Sequence, residues 1–186
     1  MIQRKEKEHT AVRKVILYIA TSLDGYIAKE DGSVDWLTEE SPDISENAGY
    51  SAFLETVDTI LMGYRTYRQI AAELSPGKWP YEGKDVCVLT HSPEPDRKGI
   101  RFVNEKIDSL LGELTASDGK DIWICGGADV VKQCMEHRCI DIYHITVIPR
   151  LLGKGIPLFD GSGREEILKL ISSKSYSGMV EMIYSR

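Results

Sequence analysis

Residues 121–134, DIWICGGADVVKQC, place a glycine pair, Gly126 and Gly127, between an apolar run and a stretch with helical spacing. Glycine at such a junction lets main-chain N–H groups approach a ligand, because no Cβ intervenes, and a helix N-terminus favours an anion. The pair serves a plain strand-to-helix bend equally well, so alone it specifies no ligand. LMGYRTYRQI repeats the arrangement: Gly63 follows an apolar run, and Arg65 and Thr66 fall in the first turn of a helix. An arginine gains nothing from the positive end of a helix dipole, and an anion would explain it. The alternative is a solvated Arg65 with Thr66 as a cap. In VLTHSPEP, Thr90, His91 and Ser92 put compact donors at a third strand end, where a proline-terminated turn is the simpler account. Taken together, three donor-rich strand ends fit one long phosphorylated ligand laid across a sheet.

Those junctions need strands to carry them. Apolar, β-branched runs recur at residues 14–20 (KVILYIA), 58–63 (DTILMG), 85–90 (DVCVLT), 121–127 (DIWICGG) and 141–149 (DIYHITVIP). Their near-continuous hydrophobicity predicts central strands covered on both faces. Between them, SENAGYSAFLETV predicts a helix capped by Ser45 with Ala52, Phe53 and Val57 on one side. NEKIDSLLGEL predicts another, capped by Asn104, with Ile107, Leu110, Leu111 and Leu114 as its stripe. ADVVKQCMEH turns Val130, Val131, Cys134 and Met135 inward. Strands alternating with helices imply crossover units and a mostly parallel sheet. The C-terminal stretch lacks a helical period, and Ser177-Gly178 predicts an antiparallel hairpin at the sheet edge. The expected organisation is a charged, flexible arm over residues 1–13 and one α/β domain over 14–186.

A chain of 186 residues with 42% hydrophobic content can bury one real core. A net charge of -6 gives no general attraction to nucleic acid, so phosphate recognition would have to be local. The apolar runs are too short to span a bilayer, and MIQRKEKEHTAVRK lacks the apolar core of a secretory signal. No membrane partner and a cytoplasmic location are expected. Cys87, Cys125, Cys134 and Cys139 show neither a CxxC nor paired histidines, so they read as reduced core thiols rather than metal ligands.

Six segments in order, ATSLDGYIA, DWL, ILMGYRTY, VLTHS, WICGGADVV and PRLLGKGIPLF, resemble the dihydrofolate reductase superfamily. The branch they resemble in particular contains the reductase domain of riboflavin biosynthesis, and the likeness runs from Val15 to Tyr184. It implies a dihydrofolate-reductase-like fold: a mixed, mostly parallel sheet flanked by helices. It also implies a reductase that passes hydride from NADPH to a small heterocyclic substrate resembling 5-amino-6-(5-phosphoribosylamino)uracil. Carried over residue by residue, Ala20 and Ile27 would flank the nicotinamide, and Gly63, Arg65 and Thr66 would meet the pyrophosphate and adenosine phosphate. Thr90, His91 and Ser92 would hold the adenosine end. Gly126, Gly127 and Ala128 match the glycine-pair turn, often built with a cis peptide in the family. Asp129 stands where several dihydrofolate reductases carry a basic residue, which leaves NADH open beside NADPH. Relatives tend to pair, so a homodimer through the C-terminal hairpin is expected.

At the reacting end, the resemblance makes Asp24 of SLDG the catalytic candidate in contact with substrate, while Asp-Gly is also a common turn. Trp36 and Leu37 are expected to cover the pocket mouth and Phe53 to form its apolar wall, if it is not simply core. The acid that dihydrofolate reductases carry on the following helix falls here on Asn47 or Gly49, with Glu46 the nearest carboxylate. Thr146 matches the threonine that supports that acid. A pterin without its anionic partner loses about 1.5–3 kcal/mol, which disfavours dihydrofolate. Arg150 and Lys154 offer cations for a substrate phosphate, or a solvated loop. Cys125 replaces a glutamate common in the riboflavin branch. A dihydrofolate or pteridine reductase, and a non-catalytic nucleotide-binding module, therefore stand as alternatives.

Overall fold

The computed structural model describes residues 12–37, 48–92, 94–161 and 164–186. In chain order its strands are β1 (Val15–Ser22), β2 (Tyr26–Ala28), β3 (Val57–Gly63), β4 (Asp85–Leu89), β5 (Ile100–Val103), β6 (Asp121–Gly126), β7 (Ile142–Ile148), β8 (Ile156–Pro157), β9 (Lys169–Tyr176) and β10 (Met179–Ser185). The α-helices are α1 (Ala48–Thr56), α2 (Tyr64–Gln69), α3 (Ile107–Ala116) and α4 (Ala128–Glu136). Eight strands form one sheet in the order β5-β4-β3-β6-β1-β7-β10-β9. From β5 to β7 every pairing is parallel; β10 runs antiparallel to both of its neighbours. This is the mixed, mostly parallel sheet with a C-terminal hairpin that the alternating pattern predicts.

The period of two along each strand explains the two-sided burial. On one face Val15, Leu17, Leu61, Cys87, Ile122 and Ile124 pack with Ile107, Leu110 and Leu111 of α3 and Val130, Val131 and Cys134 of α4. On the other, Ile16, Ile60, Met62, Val86, Val88 and Trp123 pack with Phe53 of α1 and Tyr67 of α2. Leu17, Ile60, Leu61, Met62, Ile122 and Ile124 are 0% exposed, each worth about 1.5–3 kcal/mol of apolar burial. The chain leaves β1 for β3 on one side of β6, whereas it leaves β6 for β7 on the far side of β1. The connections thus diverge at β6 and β1, and a crevice at such a switch point is where open α/β sheets take ligands.

Several expectations need correction. Helix α3 starts at Ile107 with Lys106 in the cap position and no side-chain cap bond, so Asn104 caps nothing. Val57 opens β3 rather than closing α1, although it is buried, and Ala52 is exposed, which leaves Phe53 as the buried helical member of that trio. Ser45 and the N-terminal residues 1–11 lie outside the described residues. Arg13 belongs to the body: it is 6% exposed and bonds Asp58, Thr59 Oγ1 (2.6 Å), Ser117 Oγ (3.1 Å) and the Leu114 carbonyl (3.0 Å). The hairpin turn is as expected, with Ser177 at φ 48° and Gly178 at φ 77°, the left-handed pair that tight two-residue hairpins require.

Candidate active site

Residues 90–92, 63–66 and 126–128 stand at the carboxyl ends of β4, β3 and β6, and Ala20 lies within β1 near its carboxyl end; these four strands are neighbours in that order. Gly63 and Gly127 occupy the cap positions of α2 and α4, and neither end has a side-chain cap bond. A Cβ on Gly63 would lie 3.3 Å from Val130 Cγ2 and 3.9 Å from the Gly127 nitrogen. One on Gly127 would lie 3.4 Å from Thr66 Oγ1. The two helix starts therefore face one gap, kept open by two absent side chains. The Gly126-Gly127 peptide is cis, and Gly126 has φ 120°, a region that favours glycine. Arg65, His91, Ser92 and Asp129 are exposed along this edge, and Ala128 is half-buried. Thr90 Oγ1 accepts the Ser92 N–H at 3.1 Å, which shapes the turn after β4.

Beyond Ala20 the chain turns back through Asp24. Its carboxylate accepts Ser22 Oγ–H at 2.6 Å and the N–H groups of Leu152 at 3.1 Å and Gly153 at 2.7 Å. The Ser22 hydroxyl first, then those amides, hold the carboxyl below its ordinary range against a smaller opposing effect of burial. Leu23 N–H donates to the Arg150 carbonyl at 2.8 Å, so this loop and residues 150–153 form one latch. Asp24 is thus an ionised tie between loops. Half-buried Ile27 lies on β2, paired with β8, and packs against the α3–α4 side of the core. Trp36 is 1% exposed and packs with Ile148 and Met179 beside Ala20 and Leu37, so it plugs the interior instead of covering a mouth. Arg150 is half-buried behind the latch, while Lys154 pairs with Glu30 at 2.7 Å.

Sequence reasoning missed the polar and aromatic set on the α1 face. Tyr18 stacks on Phe53 (centroids 4.2 Å apart, planes at 12°) and meets His144 edge-on at 4.3 Å; Trp123 closes the side. Ala20, Thr146, Glu181 and Lys174 stand in one register row across β1, β7, β10 and β9. Glu181, 4% exposed, has Lys174 Nζ at 2.9 Å and His144 Nε2 at 3.2 Å, the latter off the axis of a hydrogen bond. Burial pushes His144 below its ordinary value, opposed by Glu181. Burial would raise Glu181, but Lys174 and His144 outweigh it and hold the carboxyl low. Burial also raises Tyr18 and Tyr81, and pushes the Cys125 thiol up to about 12 although Tyr81 bonds it. A period-two reading of Tyr18 with Ala20, and of His144 with Thr146, was the available signal.

A cleft of about 400 Å³, lined by Arg13, Asp58, Asp85 and Arg97, opens at the opposite, amino end of the strands. Among the described residues no three metal-binding side chains gather. The model for the RibD C-terminal domain matches residues 13–182. The chain belongs to the RibD C-terminal domain family. It is 43% identical over 175 residues to the uncharacterized protein YwjB of Bacillus subtilis strain 168, covering 94% of this chain and 98% of that protein. A candidate riboflavin biosynthesis protein from Shewanella sp. PV-4 has the same fold at TM-score 0.82 and 30% identity, covering 93% and 98%. A diaminohydroxyphosphoribosylaminopyrimidine deaminase/5-amino-6-(5-phosphoribosylamino)uracil reductase from Thermotoga maritima shares the fold at TM-score 0.69 and 19% identity. That match covers 93% of this chain and 56% of that longer one. Family model and fold neighbours thus agree on one domain type, and the Shewanella protein shares its fold over nearly the whole chain.

Proposed function

We propose that the chain is an NADPH-dependent reductase that passes hydride to a small phosphorylated heterocycle of the 5-amino-6-(5-phosphoribosylamino)uracil type. The observation that carries this reading is the gap between Gly63 and Gly127, where a Cβ would intrude on the cradle that a diphosphate needs. The residues fit the cofactor. Gly63, Thr66, Gly127 and Ala128 would meet its phosphates, Arg65 would supply a cation, Thr90, His91 and Ser92 would hold its adenosine end, and Ala20 would back its nicotinamide. When bound, NADPH supplies a hydride; the chain aligns the acceptor and keeps water out. Asp24 contributes by fixing the loop beside Ala20, and Thr146 and Phe53 line the substrate side.

NADH remains the competing coenzyme because Asp129 sits in the first turn of α4, where a carboxylate repels a 2′-phosphate. The reaction belongs in the cytoplasm, where the four free thiols stay reduced. Among the described residues no helix is long and apolar enough to cross a membrane. A non-catalytic nucleotide-binding role is the second reading, favoured by the suppressed Cys125 thiol and the fully engaged Asp24. Calorimetric titration with NADPH and NADH, followed by absorbance at 340 nm over pyrimidine, pterin and quinone acceptors, separates the readings. Binding with turnover supports the reductase; binding without turnover of any acceptor supports the module; no binding of either coenzyme overturns both.

A further inference from the structure

Hydride delivery to a C=N or C=O carbon places negative charge on the neighbouring nitrogen or oxygen, and a proton must reach that atom. The groups near Ala20 differ sharply as acids. Asp24 is kept ionised by three donors. The Cys125 thiol and the Tyr18 and Tyr81 hydroxyls are pushed up by burial, away from donating near neutrality. Glu55 is exposed at the far end of α1. His144 lies two residues before Thr146, on the same face as Ala20, walled by Tyr18 of β1 at 4.3 Å and Phe53 of α1 at 6.1 Å. Its Nε2 faces Glu181 of β10, and Glu181 in turn takes Lys174 of β9, whose side chain is 54% exposed. The sheet therefore sets Glu181 and Lys174 between the ring and solvent, with Glu181 close to Nε2 as a charged neighbour rather than a hydrogen-bond acceptor.

We infer that His144, positioned by Glu181 and opened to solvent through Lys174, is the proton donor of this reductase site. This rests on the reductase reading above. The acceptor carbon gains a hydrogen and two electrons from the dihydronicotinamide, which is oxidised to nicotinamide. The adjacent nitrogen or oxygen gains a proton from the His144 imidazolium, and solvent reprotonates the ring along Lys174 and Glu181. His144 is the catalytic residue in this scheme, and Glu181 is a positioning residue that acts through it.

The test compares wild type, His144→Gln and Glu181→Gln by three readouts. These are NADPH affinity from protein fluorescence, the imidazole titration from NMR of histidine-labelled protein, and kcat against pH on the acceptor identified above. NADPH affinity should stay within twofold in all three proteins. Without the Glu181 charge, and with Lys174 still present, the His144 midpoint in Glu181→Gln should move to lower pH, and the alkaline limb of kcat, where the imidazolium is lost, should move with it. His144→Gln should lose that limb and at least tenfold in kcat at pH 6.5. A limb that persists in His144→Gln with kcat within twofold overturns the inference, as does a shifted imidazole midpoint in Glu181→Gln with an unmoved kcat limb. If His144→Gln does not fold, the coupled shift in Glu181→Gln decides. Failure of wild type to bind NADPH is a different result: it overturns the reductase reading itself.

Discussion

A methyl group placed in the glycine gap should weaken coenzyme binding by about one to two orders of magnitude while leaving the fold intact. Gly127 has φ -79° and ψ -161°, and Gly63 has φ -79° and ψ 158°, so alanine suits the backbone at both. At Gly127 the new methyl would lie 3.4 Å from Thr66 Oγ1, an ordinary contact. At Gly63 it would lie 3.3 Å from Val130 Cγ2, tight but against a side chain, and 3.9 Å from the Gly127 nitrogen. A phosphate oxygen accepting from that nitrogen needs about 2.9 Å, so methyl and oxygen compete for one space. Losing one charge-assisted hydrogen bond costs roughly 1.5–3 kcal/mol, about 10- to 150-fold in Kd. The stability change should stay within about 1 kcal/mol, since a compatible Gly→Ala exchange gains ~0.4–1 kcal/mol from the unfolded chain and offsets mild crowding. Calorimetry with NADPH and urea denaturation on Gly63→Ala and Gly127→Ala give the two quantities. Were both variants to bind NADPH as wild type does, main-chain amides at these helix starts would not be the grip, and the geometric reasoning would fail.

Other perturbations probe other parts of the molecule. Arg13→Ala removes the bonds of a buried guanidinium, while half-exposed Asp58 keeps the Lys120 N–H at 2.7 Å, a loss of about 1–3 kcal/mol, or roughly 2–12 °C in Tm by calorimetry; a drop under 2 °C would show Arg13 to be incidental. Asp24→Asn removes the charge that holds Leu152 and Gly153, so faster amide exchange in residues 150–153 and lower kcat should appear together. Unchanged turnover would remove Asp24 from the reacting end. His144 and Glu181 both have folded pKa values below their unfolded ones of 6.5 and 4.5. The unfolded chain therefore binds more protons on acidification: the His144 contribution is complete above about pH 6.5, and both decline as pH falls toward the folded values. The urea midpoint should fall from pH 7 to pH 4, less steeply between 6.5 and 5 in His144→Gln; parallel curves would contradict the assignment. Finally, we propose a homodimer through β9, the last strand of the sheet, where Leu170 and Ile171 are 51% and 54% exposed. Sedimentation should give twice 20.9 kDa for wild type and monomer for Ile171→Lys; a wild-type monomer would refute it.

The strands were readable from sequence because a parallel strand buried on both faces leaves a continuous apolar run, as in β1, β3 and β6. The same was true of the glycine junctions, where glycine chemistry marks the strand-to-helix turns that open α2 and α4. Short elements were not readable. β5 has four residues and β8 two, too few to show a period, and the β2–β8 ladder depends on Gly155, where a Cβ would lie 2.3 Å from the Ala28 carbonyl oxygen. Trp36 misled because an aromatic in a loop-like segment suggests a lid, whereas burial beneath Ile148 and Met179 is a property of tertiary packing.

The two acids illustrate the limit most clearly. Asp24 stood out because SLDG resembles the riboflavin branch, yet its Asp-Gly pair reports a turn whether or not chemistry happens there. Its three accepted hydrogen bonds all come from the loops it joins, so its first demonstrable task is to fix the loop beside Ala20. Glu181 gave no local sign, since one carboxylate in a C-terminal strand looks like any solvent-facing position. Only the antiparallel register that sets Glu181 beside Thr146, and Thr146 beside Ala20, brings it onto the face where a substrate would lie. That register joins residues far apart in the chain, and no spacing within β10 encodes it. Burial of Glu181 at 4% exposure is costly unless the group is paired, and its close cationic or titratable neighbours, Lys174, His144 and Tyr176, all come from other strands. A charged pair kept at that cost, in register with Ala20, fits the proposed proton handling better than a role in stability, because well-packed apolar residues would serve stability as well.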